Sequence, residues 1–269
     1  MKNKTIIITG GSSGIGKACA EIFGAHGANI VISGRNESTL IETTRYLKQK
    51  NISAHYVVSD ISIESDAQKL INETINTFKK IDVLINNAGI SMRAMFEEVD
   101  LSVIKKVMDI NFYGTVYATK YALPHILQTQ GSIVGISSIA GKKGLPARTG
   151  YCASKFAMHG FLESLRIELL KKNVHVLLAC PGFTASNIRN HALAKDGTPQ
   201  GESPLDEGKI MPAEEVARHI YKAVKKRKRE IVLTNQGKLT VCLNKFFPAF
   251  MDLMVYRHFA KEKDSPVRP

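Results

Sequence analysis

Cysteine is scarce in this chain, and the four present, Cys19, Cys152, Cys180 and Cys242, are scattered without metal-ligand spacing. They read as reduced thiols of an intracellular protein, and no metal is expected. An internal repeat and a low-complexity linker are also missing. The 269 residues are therefore expected as one domain, a size that a sheet covered by helices on both faces routinely reaches. No basic, apolar leader precedes the first strand pattern, so no signal peptide is expected. Nor is there an uninterrupted membrane span: the apolar stretch 239–256 is broken by Lys245, Pro248 and Asp252. Although the formal charge is +13, no recognition motif or interleaved basic and aromatic platform accompanies it, and nucleic acid is not an expected partner.

What is present alternates. Strand patterns near 5–9, 29–33, 54–58, 82–86, 131–137, 174–179 and 230–234 are separated by helical patterns at 15–26, 37–50, 63–79, 100–129, 151–172 and 213–227. This alternation predicts an α/β fold with a doubly wound, mostly parallel sheet, a Rossmann fold, spanning 1–235 and followed by a helical extension at 236–269. In such a sheet a ligand lies beyond the carboxyl ends of the strands, where Gly10, Asp60, Asn86, Ser138 and Pro181 all fall.

Two constellations carry chemistry. Gly10-Gly11-Ser12-Ser13-Gly14-Ile15-Gly16 joins the buried strand pattern Thr5–Thr9 to an amphipathic helix. Glycines let the backbone approach a pyrophosphate, and the helix N-terminus favours its negative charge. Downstream, Tyr151 and Lys155 lie four apart, on one face of a helix, thirteen residues and more after Ser138. An ammonium beside a phenol favours the phenolate, giving a group able to exchange a proton with a carbonyl or alcohol oxygen.

Together, Thr9-Gly10-x-x-x-Gly14-Ile15-Gly16, Asn86-Asn87-Ala88-Gly89, Asn111, Ser138, Tyr151-x-x-x-Lys155 and Pro181-Gly182 resemble the short-chain dehydrogenase/reductase family in order and spacing, over roughly residues 4 to 234. The resemblance implies an oxidoreductase in which hydride passes between a nicotinamide and a substrate carbon. In it Tyr151 exchanges the proton, Ser138 orients the substrate oxygen, Lys155 lowers the tyrosine pKa and binds the nicotinamide ribose, and Asn111 holds a water in a proton relay. The cofactor-binding set it implies comprises Gly10, Ser12, Ser13, Gly14, Ile15, Gly16, Ser33, Arg35, Asn36, Asp60, Ile61, Asn87, Ala88, Gly89, Tyr151, Lys155, Pro181, Gly182, Phe183 and Thr184, with Asp60 at the adenine and Asn86 mainly structural. An NAD-binding chain usually has a carboxylate about twenty residues after the glycines; here that region reads Ile32-Ser33-Gly34-Arg35-Asn36. The guanidinium of Arg35, with Ser33 as an extra donor, suits a 2′-phosphate, and NADP(H) is the expected cofactor.

Residues 184–212 occupy the place of the family's substrate lid and include Asn187, Arg189 and His191, which either contact substrate or belong to a solvated loop. The C-terminal quarter, 209–269, holds 14 basic and 6 acidic side chains. The charge run at 222–229 and the aromatic stretch 239–256 suit the anionic surface of a membrane, and the tail resembles the extension of lipid- and steroid-handling members of the family. The equal alternative is that 239–256 folds over the substrate pocket or packs in an oligomer interface. The resulting expectation is a cytoplasmic, peripherally membrane-associated homodimer or homotetramer that reduces a hydrophobic, lipid- or steroid-like ketone. A catalytically silent dinucleotide sensor of the same fold is the alternative.

Overall fold

A computed structural model describes residues 1–203, 210–262 and 264–267. Seven parallel strands form one sheet: β1 (Thr5–Thr9), β2 (Asn29–Gly34), β3 (Ala54–Val58), β4 (Val83–Asn86), β5 (Ser132–Ile136), β6 (His175–Cys180) and β7 (Glu230–Val232). Their order is β3-β2-β1-β4-β5-β6-β7. The chain winds outward from β1 in one direction, then returns to add β4 on its other side. This reversal leaves a crevice at the carboxyl ends of β1 and β4, the switch point where doubly wound sheets take ligands.

Both faces of the sheet are covered, which explains why its central strands are runs of β-branched residues rather than alternations with polar ones. Successive side chains point to opposite faces. Ile6, Ile8, Ile30 and Ile32 meet Cys19 and Phe23 of α1 (Gly14–Ala25), Leu40 and Leu47 of α2 (Glu37–Gln49), and Val216 and Ile220 of α7 (Ala213–Lys225). Ile7, Val31, Leu84 and Ile133 meet Leu70 of α3 (Glu64–Phe78), Ile126 of α5 (Gly114–Thr129), and Met158 and Leu162 of α6 (Thr149–Glu168).

Three boundaries differ from the sequence expectation in ways that matter. The helical pattern at 100–129 is divided into α4 (Leu101–Met108), a π-helical turn at Asp109–Tyr113, and α5. The apolar periodicity continues through the turn, so it carries no signal of the extra residue, although such turns recur at functional sites. The final strand ends at Val232, because Thr234, with φ 66°, turns the chain into α8 (Asn235–Phe246). Pro248 then starts α9 (Pro248–Phe259), where its missing amide costs nothing. Within the expected lid, Met92 pairs with Leu193 and Thr184 with Met211 through isolated bridges; 204–209 lie outside the described residues.

Candidate active site

The β1–α1 turn and the segment after β4 are built against each other. Gly10 (φ 63°) and Gly14 (φ 50°) adopt left-handed conformations that favour glycine. The side-chain amide of Asn87 donates to Thr9 O (2.9 Å) and Gly10 O (3.0 Å), while Thr9 Oγ1 accepts from the backbone amides of Asn87 and Ala88, each at 3.0 Å. A β-carbon on Gly16 would lie 2.3 Å from Gly10 O and 2.6 Å from Asn87 Nδ2, so α1 can approach this closely only without a side chain there. Ser13, the residue before α1, makes no side-chain cap, and the first turn has no acidic residue. The positive end of the helix dipole thus faces the crevice without a protein counter-charge on that turn.

At the other end of the crevice, Tyr151 and Lys155 project from α6 and Ser138 stands just beyond β5. The Ser138 hydroxyl, which accepts from Ala140 N at 3.1 Å, lies beside the Tyr151 phenol. Burial raises the phenol's pKa above its ordinary value, and the Ser138 hydroxyl opposes that rise only in part. Lys155 is 4% exposed; its ammonium donates to Ile136 O at 2.9 Å and lies 5.7 Å from the Tyr151 ring centroid. Desolvation brings its pKa down to about 8. In this arrangement the Lys155 ammonium is aimed at a backbone carbonyl, and desolvation dominates at both groups.

The resemblance implies that Asn111 holds a relay water; here its side chain is bonded to protein partners. It is fully buried in the π-helical turn, outside the cavity wall, where Oδ1 accepts from Ile90 N (2.8 Å) and Nδ2 donates to Ile90 O and Ser154 Oγ (2.9 Å each). Ser154 Oγ in turn donates to Tyr151 O at 2.7 Å. Through these bonds the Asn111 side-chain amide ties the segment after β4 to α6. Asn86 is structural as well, donating through Nδ2 to Thr119 Oγ1 at 3.0 Å.

The two ends share one cavity of about 640 Å³, within the range of small-molecule sites. Gly10, Ser13, Gly14, Ile15, Arg35, Asn87, Ala88, Gly89, Ser138, Tyr151, Lys155, Pro181, Gly182, Phe183 and Thr184 line it, as do Asn187, Arg189 and His191. Ser12, Gly16, Ser33, Asn36, Asp60 and Ile61 do not. Gly16 acts through close packing. Ser33 is buried within β2 at 1% exposure, because alternation along the strand turns it away from the adjacent loop. Asn36 caps α2, accepting from Thr39 N at 3.2 Å; Asp60 Oδ1 accepts from Ser62 N and Oγ at 3.0 and 2.6 Å; Ile61 packs in the core. Arg35 remains at the rim, 60% exposed and only 3.9 Å from Asp60 Oδ2.

Sequence reasoning missed how much the C-terminus contributes. Leu239 and Leu243 of α8 and Phe250, Met254 and Phe259 of α9 complete the cavity wall. Glu262, 6% exposed, holds this cover down: its carboxylate accepts from Arg148 Nη2 at 3.1 and 3.2 Å and pairs with Arg93 at 3.4 Å. Arg148 lies over the Phe259 ring at 4.6 Å. Residues of 239–256 thus fold over the pocket. Also missed was a polar cluster behind Ser138, where His159 Nε2 lies 2.9 Å from Ser137 Oγ and 3.6 Å from Cys180 Sγ, and Lys142 pairs with Glu230 at 2.6 Å. These residues are separated by up to 93 positions, so no spacing signal joins them.

A parallel doubly wound sheet with a glycine-lined crevice at its switch point and a Ser-Tyr-Lys centre defines an oxidoreductase of the nicotinamide-dependent type. The short chain dehydrogenase family model matches residues 4–197, and this chain belongs to that family. It is 37% identical over 240 residues to dehydrogenase/reductase SDR family member 7B of Mus musculus, covering 87% of this chain and 74% of that one. The uncharacterized oxidoreductase YxnA of Bacillus subtilis is 32% identical over 276 residues, covering 100% and 76%. Among solved structures, a short chain dehydrogenase/reductase from Burkholderia phymatum in complex with NAD superposes with a TM-score of 0.82 at 25% identity, covering 94% and 95%. An alcohol dehydrogenase from Thermococcus sibiricus, complexed with 5-hydroxy-NADP, shares the fold at a TM-score of 0.74 and 21% identity, covering 86% and 95%.

Proposed function

We propose that this oxidoreductase uses NADP(H) to reduce a ketone carried on a hydrophobic, lipid- or steroid-like molecule. The observation that carries the proposal is the mixed lining of the cavity: Ser138, Tyr151 and Lys155 share it with leucine, methionine and phenylalanine side chains of α8 and α9. A ligand matched to it has one polar reacting group and an apolar body.

The crevice fits a dinucleotide. Gly10 and Gly14 hold the backbone in left-handed turns, and the uncapped start of α1 offers amides to a pyrophosphate. Arg35, at the rim with only a loose carboxylate partner, supplies a planar fork for a 2′-phosphate. A nicotinamide cofactor held by these residues would supply the hydride. Tyr151 gives its proton to the carbonyl oxygen, a direction favoured by burial, which keeps the phenol protonated. Ser138 orients the same oxygen through its hydroxyl. Lys155, with its pKa near 8, exchanges a proton readily near neutral pH and returns one toward the phenol after turnover.

Fluorescence titration with NADPH and NADH, followed by turnover on a carbonyl panel, tests the proposal. NADPH is expected to bind more tightly, with Arg35→Ser lowering NADPH affinity about tenfold and leaving NADH affinity nearly unchanged. Tyr151→Phe is expected to retain NADPH binding and lose about a hundredfold or more in turnover. Tighter binding of NADH would overturn the cofactor assignment. Turnover confined to small polar carbonyls would overturn the substrate class.

A further inference from the structure

Among the described residues 15 large hydrophobic side chains are strongly exposed, and seven of them fall between Leu239 and Tyr256. Leu239, Phe246, Phe247, Phe250, Leu253, Met254 and Tyr256 are 43–71% exposed, whereas the other eight are scattered from Ile41 to Leu170. Isolated exposed apolar residues are ordinary; six on two consecutive helices and a seventh, Phe247, at their junction mark a contact surface. Pro248 turns α8 into α9, placing these residues on one helical hairpin.

Leu239, Phe250 and Met254 are both exposed and part of the cavity wall. The apolar surface is therefore continuous with the lip of the cavity. A hairpin serving only as a cover would bury its apolar side chains inward and present polar ones outward.

Charge decides between possible occupants. Lys238, Lys245 and Arg257 are exposed on the hairpin, against Asp252 as its single acidic residue, which is already paired with Lys143; just beyond it the exposed Lys261 and Asp264 offset each other. A second copy of this chain would bring the same positive charges against these. An anionic lipid surface complements them, with aromatic and aliphatic side chains entering the acyl boundary and the lysines staying among the headgroups. Among the described residues no helix is long and apolar enough to cross a membrane, so the contact is interfacial.

We infer that α8 and α9 form a docking surface for anionic membranes, seating the cavity lip on the bilayer so that an apolar ligand passes between lipid and cavity without crossing water. Docking requires neither bound cofactor nor turnover, so it can fail while the proposed function stands, and the reverse.

The test is cosedimentation of the full chain with phosphatidylcholine vesicles and with vesicles containing phosphatidylglycerol. Binding to the anionic vesicles is expected, weakening as salt rises from 50 to 500 mM, roughly a threefold fall in Debye length. Phe246 and Phe247 lie outside the cavity wall, so the double substitution Phe246→Asn and Phe247→Asn should keep NADPH binding and turnover of a water-soluble ketone. It should lower vesicle partitioning by about a hundredfold, roughly tenfold per phenylalanine. Lys245→Glu, at an exposed charge, provides an independent variant and should weaken binding to anionic vesicles alone. No sedimentation with either vesicle, partitioning unchanged in the double variant, or a dimer dissociated by the double substitution while vesicles remain unbound would each overturn the inference.

Discussion

Lys155 should be worth more to this protein as a catalyst than as part of its fold, and replacing it with methionine separates the two roles. The side chain is 4% exposed, and desolvation brings its pKa from 10.5 to about 8. That fall corresponds to about 3 kcal/mol of preference for the neutral amine in the folded chain. At pH 7 the group is nevertheless charged in both states, so the native fold carries the whole penalty. Methionine fills a similar volume without charge, but leaves Ile136 O without the donor now at 2.9 Å, a loss of about 1 kcal/mol. Lys155→Met is therefore expected to stabilise the fold by about 2 kcal/mol at pH 7, raising Tm by about 4 °C for a chain of this size, while turnover collapses. The sign of the pH dependence follows from proton counts. Between pH 8 and 10.5 the unfolded chain keeps the Lys155 proton that the native chain has lost, so wild-type stability from this group rises with pH. The advantage of the variant is thus constant below pH 8, shrinks from pH 8 to 10.5, and ends slightly negative once only the lost hydrogen bond remains. Thermal unfolding followed by circular dichroism, with both proteins side by side at pH 7 and pH 10, measures it. A variant less stable than wild type at pH 7, or a difference that does not change with pH, would refute the reasoning.

Two further perturbations probe the frame around the site. Glu262→Ala leaves the buried guanidiniums of Arg148 and Arg93 without their shared carboxylate and should cost about 3 kcal/mol in urea unfolding, whereas the triple replacement Glu262→Leu, Arg148→Met and Arg93→Met should recover most of that loss; equal destabilisation by both would show that the ion cluster is not the cause. Gly16→Ala sets a helix-propensity gain of about 1 kcal/mol against a β-carbon 2.3 Å from a backbone oxygen; the clash should win, lowering both Tm and NADPH affinity, and a stabilised variant with unchanged NADPH affinity would sink the close-packing argument.

Local signals in the sequence determined a good deal. Runs such as Ile6-Ile7-Ile8 between turn residues read as strands buried on both faces, because only a parallel sheet between helical layers removes every one of those side chains from water. The glycines at 10 and 14 mark left-handed turns that disfavour side chains, and the four-residue spacing of Tyr151 and Lys155 puts them on one face of α6 by helix geometry. What only the tertiary structure decided depends on contacts between residues remote in sequence. The π-helical turn that aims Asn111 at Ile90 leaves the apolar periodicity of 100–129 intact, and the inward turn of Ser33 is set by β2 lying within the sheet. The pKa of Lys155 follows from its desolvation, which no spacing along the chain records. The placement of α8 and α9 over the cavity rests on Glu262 meeting Arg148, 114 residues away, and on a segment whose apolar side chains are divided between cavity and solvent. Hydrophobic pattern specifies that such a segment needs an apolar neighbour; which neighbour it finds is settled by the packing of the whole chain.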